Sequence, residues 1–185
     1  MQDKLKYIFE NTNNWLNFAE AKNAAILAFN IALIAAITST DILKKYVTIM
    51  YIIIAILTLS IIVSILSFVP KTNNSFSNKI YKYTIGGIDK IIEIIFKEDV
   101  KENLLFYGYI SQFEIGQRDE YLQKMISSYD IQEEDRKITG FEKELAEEII
   151  INSRITQRKY NYFKASMYIL IIGIISLLVI LILCA

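Results

Sequence analysis

Three stretches of this chain carry no charged residue: residues 24–40, 47–69 and 165–185. Of the 61 residues they contain, 49 are apolar, so a helix built from any of them is apolar on every face. Such a helix needs either a large protein core or lipid around it. A chain of 185 residues is too small to wrap three of them in polar structure. At 1.5 Å per residue the second run reaches about 35 Å and the third about 32 Å, enough for a hydrocarbon core of about 30 Å. The first reaches about 26 Å and spans with help from its flanks or a locally thinned bilayer. It does not read as a secretory signal: the 23 residues before it include Asp3, Glu10 and Glu20, whereas a signal has a short basic lead. The fold class that follows is an all-α membrane protein with three spans.

The order of segments sets the organisation. Residues 1–23 form an N-terminal amphipathic cytoplasmic segment. Residues 24–69 form a transmembrane helical hairpin (24–40 and 47–69), because residues 41–46 are too few for a domain. Residues 70–164 form a cytoplasmic, mainly helical domain, and residues 165–185 a C-terminal transmembrane helix. Residues 70–164 carry 15 of the 20 Lys and Arg, with Lys71 by one span and Arg154, Arg158, Lys159 and Lys164 by the next. The hairpin loop has only Lys44 and Lys45. The positive-inside rule then places the N-terminus and the central domain in the cytoplasm of a multi-pass inner-membrane protein.

Composition narrows the chemistry. There is no His, which removes the commonest general base, the Ser-His triad and imidazole metal sites. One Cys, Cys184, excludes thiolate zinc sites and intramolecular disulfides, and it lies in the last apolar run as a packing residue. Zero net charge gives no global pull toward nucleic acid. No Walker loop, GxGxxG or HExxH is present, so no catalytic residues and no metal are expected.

Within the polar segments, Leu5, Ile8 and Phe9 lie on one side of a first helix, and Asn11-Thr-Asn-Asn14 reads as a break or N-cap. Trp15 and Phe18 suit either the membrane interface or packing. Ile88, Ile91, Ile92 and Ile95 follow helical spacing opposite Asp89, Lys90, Glu93 and Lys97. That helix packs on the domain or lies at the membrane surface, and its mixed charge favours packing. Periodicity leaves residues 103–116 open between helix and strand. Residues 119–129 read as a short helix. Asp130-Ile-Gln-Glu133 has the pattern of a capping box, so one long helix is expected from about Gln132 directly into the third span.

The spans carry their own pattern. Ala24, Ala28, Ala32 and Ala36 recur every four residues, a small-residue face that lets another helix approach closely, in the same chain or a second copy. Ser60, Ser64 and Ser67 share a face of span two, for hydrogen bonds between helices or a pore lining. Asn30 is the mid-span amide and must face protein or water, as a packing clamp or a gate. No charge lies deep in a span, which argues against ion-coupled transport. Glu20 and Lys22 stand at the mouth of span one, two residues apart, so each is expected to pair with another segment.

An anionic ligand would need Arg or Lys on its phosphate and aromatic groups on its base. Arg118, Arg154, Arg158 and Lys159, with Tyr107 and Tyr109, are the candidates; lipid-headgroup anchoring is the competing role for the basic residues near span three.

Three motifs in order suggest a family. Phe18-Ala-Glu-Ala-Lys-Asn-Ala24 leads into the first span. Leu104-Leu-Phe-Tyr-Gly-Tyr-Ile110 is followed by Asp119-Glu-Tyr-Leu122. Glu148-Ile-Ile-Ile-Asn-Ser-Arg-Ile155, with Arg158-Lys-Tyr160 and Phe163, leads into the last span. Over most of its length the chain resembles the membrane effectors of Pycsar, a bacterial antiphage system. The resemblance implies an effector, not an enzyme, that stays silent until a nucleotide cyclase makes a cyclic pyrimidine nucleotide (cCMP or cUMP). The effector then disrupts the inner membrane and ends infection by killing or arresting the host. A homo-oligomer in contact with membrane lipid is the expected working form. The other readings are a membrane effector or channel-like subunit gated by a cyclic oligonucleotide or a protein signal, and a non-catalytic membrane scaffold.

Overall fold

The computed structural model describes residues 1–40, 46–69, 85–129 and 138–184. Among them there are six helices and no strand: α1 (Gln2–Ser39), α2 (Val47–Leu66), α3 (Gly86–Ile95), α4 (Tyr107–Ile110), α5 (Arg118–Ser128) and α6 (Gly140–Cys184). The aromatic stretch that periodicity left open is therefore a short helix set among turns. Helices α1, α2 and α6 each contain a window long and apolar enough to cross a membrane. The fold is all-α, with an N-terminal spanning pair and a long helix that continues into the C-terminal span.

Two expectations fail, for local reasons. Helix α1 does not break at residues 11–14. Asn side chains end helices when they bond their own backbone. Here they are engaged elsewhere: Asn11 donates to the Leu105 carbonyl at 3.4 Å, and Asn13 accepts from Asn152 at 2.9 Å. The long last helix also does not run through residues 138–139; it starts at Gly140. The Thr139 hydroxyl accepts from the Glu142 N–H at 3.3 Å, and the Glu142 carboxylate accepts from the Thr139 N–H at 3.0 Å. That reciprocal pair is a capping box, and it sets the start. Gln132 and the capping pattern at residues 130–133 lie outside the described residues.

The chain divides into two compact units. The first comprises Met1–Ala19 and Glu98–Arg158. Its core is apolar and aromatic: Leu5 and Ile8 of α1, Leu104, Tyr109, Ile110 and Phe113, Tyr121, Leu122 and Met125 of α5, and Ala146, Ile149 and Ile150 of α6. Phe113 meets Tyr109 and Tyr121 edge-on, at 5.8 and 5.4 Å between ring centres. The fully buried Tyr121 donates to the Leu104 carbonyl at 3.0 Å. Burial pushes that hydroxyl above its ordinary range, so it stays a donor. Trp15 packs on Phe106 and Tyr107 within this unit, so its role is packing. Gly116 turns the chain between α4 and α5 at φ 98°, a conformation side chains resist, and its N–H donates to Glu147 at 2.8 Å.

The second unit comprises Glu20–Lys97 and Lys159–Ala185. Its apolar core is small: Ile26, Ile37, Ile53, Leu57 and Leu170. In each apolar window only 17–22% of residues are buried within the protein. Phe29, Ile52, Leu59, Ile172 and Leu178 are each more than half exposed. Leaving such side chains in water forgoes roughly 1.5–3 kcal/mol apiece. That surface is tolerable only with lipid as its solvent. Helices α2 and α6 also approach closely: a Cβ on Gly173 would stand 2.8 Å from Leu57 Cδ2.

Candidate functional site

Beside that small apolar core, the three apolar helices turn a row of polar residues inward. Asn30, Ser60, Ser64, Ser67, Asn23 and Ser166 are all essentially inaccessible. Asn30 sits on α1 four residues after Ile26, whose carbonyl accepts from its amide at 2.9 Å. The same amide reaches Ser60 Oγ at 3.1 Å, and Ser60 in turn donates to the Ser166 carbonyl at 2.8 Å. One relay therefore ties α1 to α2 and α2 to α6. One helical turn along α2, Ser64 donates to the Asn23 carbonyl at 2.9 Å. The Asn23 amide donates to the Lys159 carbonyl at 3.0 Å. Ser67 closes the row by bonding back to the Ser64 carbonyl at 2.7 Å. Asn30 Oδ1 has no hydrogen-bond donor among the described residues. The face of α2 that the sequence marked by Ser60, Ser64 and Ser67 meets protein here and does not line an open lumen.

A charged layer adjoins this seam. The Lys159 ammonium, almost fully buried, meets Glu20 at 3.0 Å, the Ser67 carbonyl at 3.4 Å and the face of Phe68 at 5.2 Å. Lys22 stands over Tyr160 and Phe163 at 5.1 and 5.2 Å. Glu20 and Lys22 thus serve different partners, as their spacing requires. The Ala24, Ala28, Ala32 and Ala36 face points away from both neighbouring spans and is exposed.

The candidate ligand residues scatter. Tyr107 and Tyr109 are buried in the first unit; the Tyr109 hydroxyl accepts from Lys124 at 3.2 Å, a bond that holds the ammonium above its usual range. Arg154 is exposed and donates to the Phe113 carbonyl at 2.9 Å. Arg158 is half-buried in the same unit, whereas Lys159 belongs to the other. Arg118 lines an open groove of about 380 Å³ with Phe141, Glu144, Leu145, Glu147 and Glu148. Of the six candidates it alone lines that groove, whose three carboxylates oppose a phosphate.

Sequence reasoning found Asn30 and the serine face but missed Asn23 and Ser166. Asn23 stands one position before the apolar stretch that begins at Ala24. Ser166 acts through its backbone carbonyl, which no side-chain pattern reveals. A family profile described as the Pycsar effector protein domain matches residues 4–185. No curated protein and no solved structure matches the chain.

Proposed function

Because the chain belongs to the Pycsar effector family, we propose that it is a non-catalytic effector of bacterial antiphage defence. A cyclic pyrimidine nucleotide, cCMP or cUMP, triggers it to disrupt the inner membrane in which it sits. The N-terminus and residues 70–164 face the cytoplasm, where a partner cyclase would make the signal. The distribution of Lys and Arg supports that orientation.

The observation that carries the reading is the polar seam. The three spans are joined by single, neutral Asn and Ser hydrogen bonds. In lipid such bonds contribute only about 0.6–2 kcal/mol each. A seam of this kind keeps the silent protein sealed, yet a ligand of modest differential affinity can open it. Once parted, its amide and hydroxyls present a hydrated path. The exposed alanine face supplies the surface on which copies assemble. The ligand phosphate draws on the N–H donors of Arg154 and Arg158, since the carboxylates beside Arg118 repel it. Arg154 and Arg158 share α6 with the third span, so a pull on them acts on the helix that holds Ser166.

The test is membrane potential and dye uptake in cells that make the chain, with cCMP, cUMP or a panel of cyclic oligonucleotides supplied. Depolarisation with a cyclic pyrimidine nucleotide is expected. Depolarisation only with an oligonucleotide, or none with any nucleotide, overturns the proposed trigger.

A further inference from the structure

Helix α3 presents three faces at about 100° per residue. Asp89, Ile92 and Phe96 share the first. Ile92 is buried, Asp89 Oδ1 accepts from the Tyr162 hydroxyl at 2.6 Å, and Phe96 stacks on Tyr168 at 5.8 Å. Lys90, Glu93 and Lys97 share the second face and are exposed. Ile88, Ile91, Ile94 and Ile95 share the third, and they are 37, 59, 76 and 64% exposed. Among the described residues no helix of this unit covers them, although the opposite side of α3 is fixed by a hydrogen bond and a ring stack.

The two anchors identify what lies against that face. Tyr162 and Tyr168 flank residue 165, where the charge-free run of α6 begins. Six residues of helix rise about 9 Å. The interfacial layer of one leaflet is roughly 5–8 Å thick, and Tyr side chains prefer it. Helix α3 is thus held where α6 passes from headgroups into hydrocarbon. Its polar face mixes both charge signs, so apolar insertion, rather than attraction to anionic headgroups, must hold it there.

We propose that α3 is a membrane-dipping helix whose Ile88, Ile91, Ile94 and Ile95 face inserts among lipid acyl chains beside α6. A wedge in one leaflet loads the bilayer asymmetrically next to the seam. This assignment needs only that α6 cross the membrane and is independent of the trigger.

The full chain with Cys184→Ser would carry one probe site at a time: Ile91→Cys, Ile94→Cys, Lys90→Cys or Lys97→Cys. Each is labelled with an environment-sensitive fluorophore after reconstitution into phosphatidylethanolamine–phosphatidylglycerol vesicles. Positions 91 and 94 should show blue-shifted emission, loss of fluorescence to spin-labelled lipid and protection from iodide. Positions 90 and 97 should show the reverse. Iodide quenching at 91 and 94 equal to that at 90 and 97 would overturn the proposal. So would probes shielded from both quenchers, which would mean protein covers the face. A disulfide between two copies of the Ile94→Cys chain would assign the face to a second copy and also overturn it. Because Ile94 is largely exposed, Ile94→Glu should leave the chain folded and inserted while reducing lipid quenching at position 91; unchanged quenching there would count against insertion.

Discussion

The two units differ in the balance of what they bury. The first, around α5, hides Leu5, Ile8, Phe113, Tyr121, Met125 and Ile149, and the one charged residue buried among its described residues, Glu142, is held by the Thr139 cap. The second hides Asn23, Asn30, Ser60, Ser64 and Ser166 beside a small apolar core, and leaves most of its Ile, Leu and Phe outside. The same helices α1 and α6 contribute to both, so helix propensity does not set the difference. Solvent does. Facing water, apolar side chains gain by turning inward. Facing lipid they gain little, and the groups that must turn inward are those able to hydrogen-bond.

The largest expected effect contrasts the two solvents directly. Ile149→Ala, in the first core, should cost about 2–5 kcal/mol in denaturant unfolding of the detergent-solubilised chain. Ile52→Ala, on the outer face of α2, should change that midpoint within error. A large loss from Ile52→Ala would break the comparison.

The ion pair at the edge of the seam comes next. Glu20→Gln leaves the buried Lys159 ammonium with a carbonyl and a ring. Since the Glu20 side chain is 46% exposed, the loss is discounted to about 1–2 kcal/mol. Lys159→Gln should cost less, because Glu20 already meets solvent. Equal losses would mean that both ends are equally buried.

Asn30→Ala should cost about 1 kcal/mol, because one interhelical bond is lost and one unsatisfied carbonyl oxygen leaves with it. A loss several times larger would show the relay to be cooperative. The smallest effect is a titration. The hydrogen bond from Lys143, 2.8 Å away, holds the Asp119 carboxyl below its ordinary value of 3.8. The pair therefore contributes at neutral pH and is lost as pH falls below 3.8 through the folded value. Lys143→Met should raise the Asp119 midpoint, read by carboxyl NMR, toward 3.8.

Much of this division was legible in the amino-acid order. Charge-free runs marked the spans, and the Ser60, Ser64 and Ser67 spacing marked the inward face of α2. Asn30 stood out because amides are costly in hydrocarbon. What escaped depends on partners distant in sequence. Asn11 and Asn13 looked like a helix break because their partners, Leu105 and Asn152, lie 94 and 139 residues away. Thr139 and Glu142 did spell a capping box, but Asp130 to Glu133 offered a competing one. The candidate ligand residues were chosen by chemical type alone, and type does not say that Tyr107 is spent on Trp15 or Lys159 on Glu20.

In the proposed function the Asn30–Ser60 bond holds the spans closed until the trigger parts them. The most direct measurement is dye release from vesicles containing the chain with Asn30→Cys, Ser60→Cys and Cys184→Ser, before and after the 30–60 disulfide forms. With the seam as the seal, cCMP or cUMP should release dye from the reduced protein, the disulfide should abolish release, and reduction should restore it. Nucleotide-driven release that proceeds unchanged with the disulfide intact would contradict it.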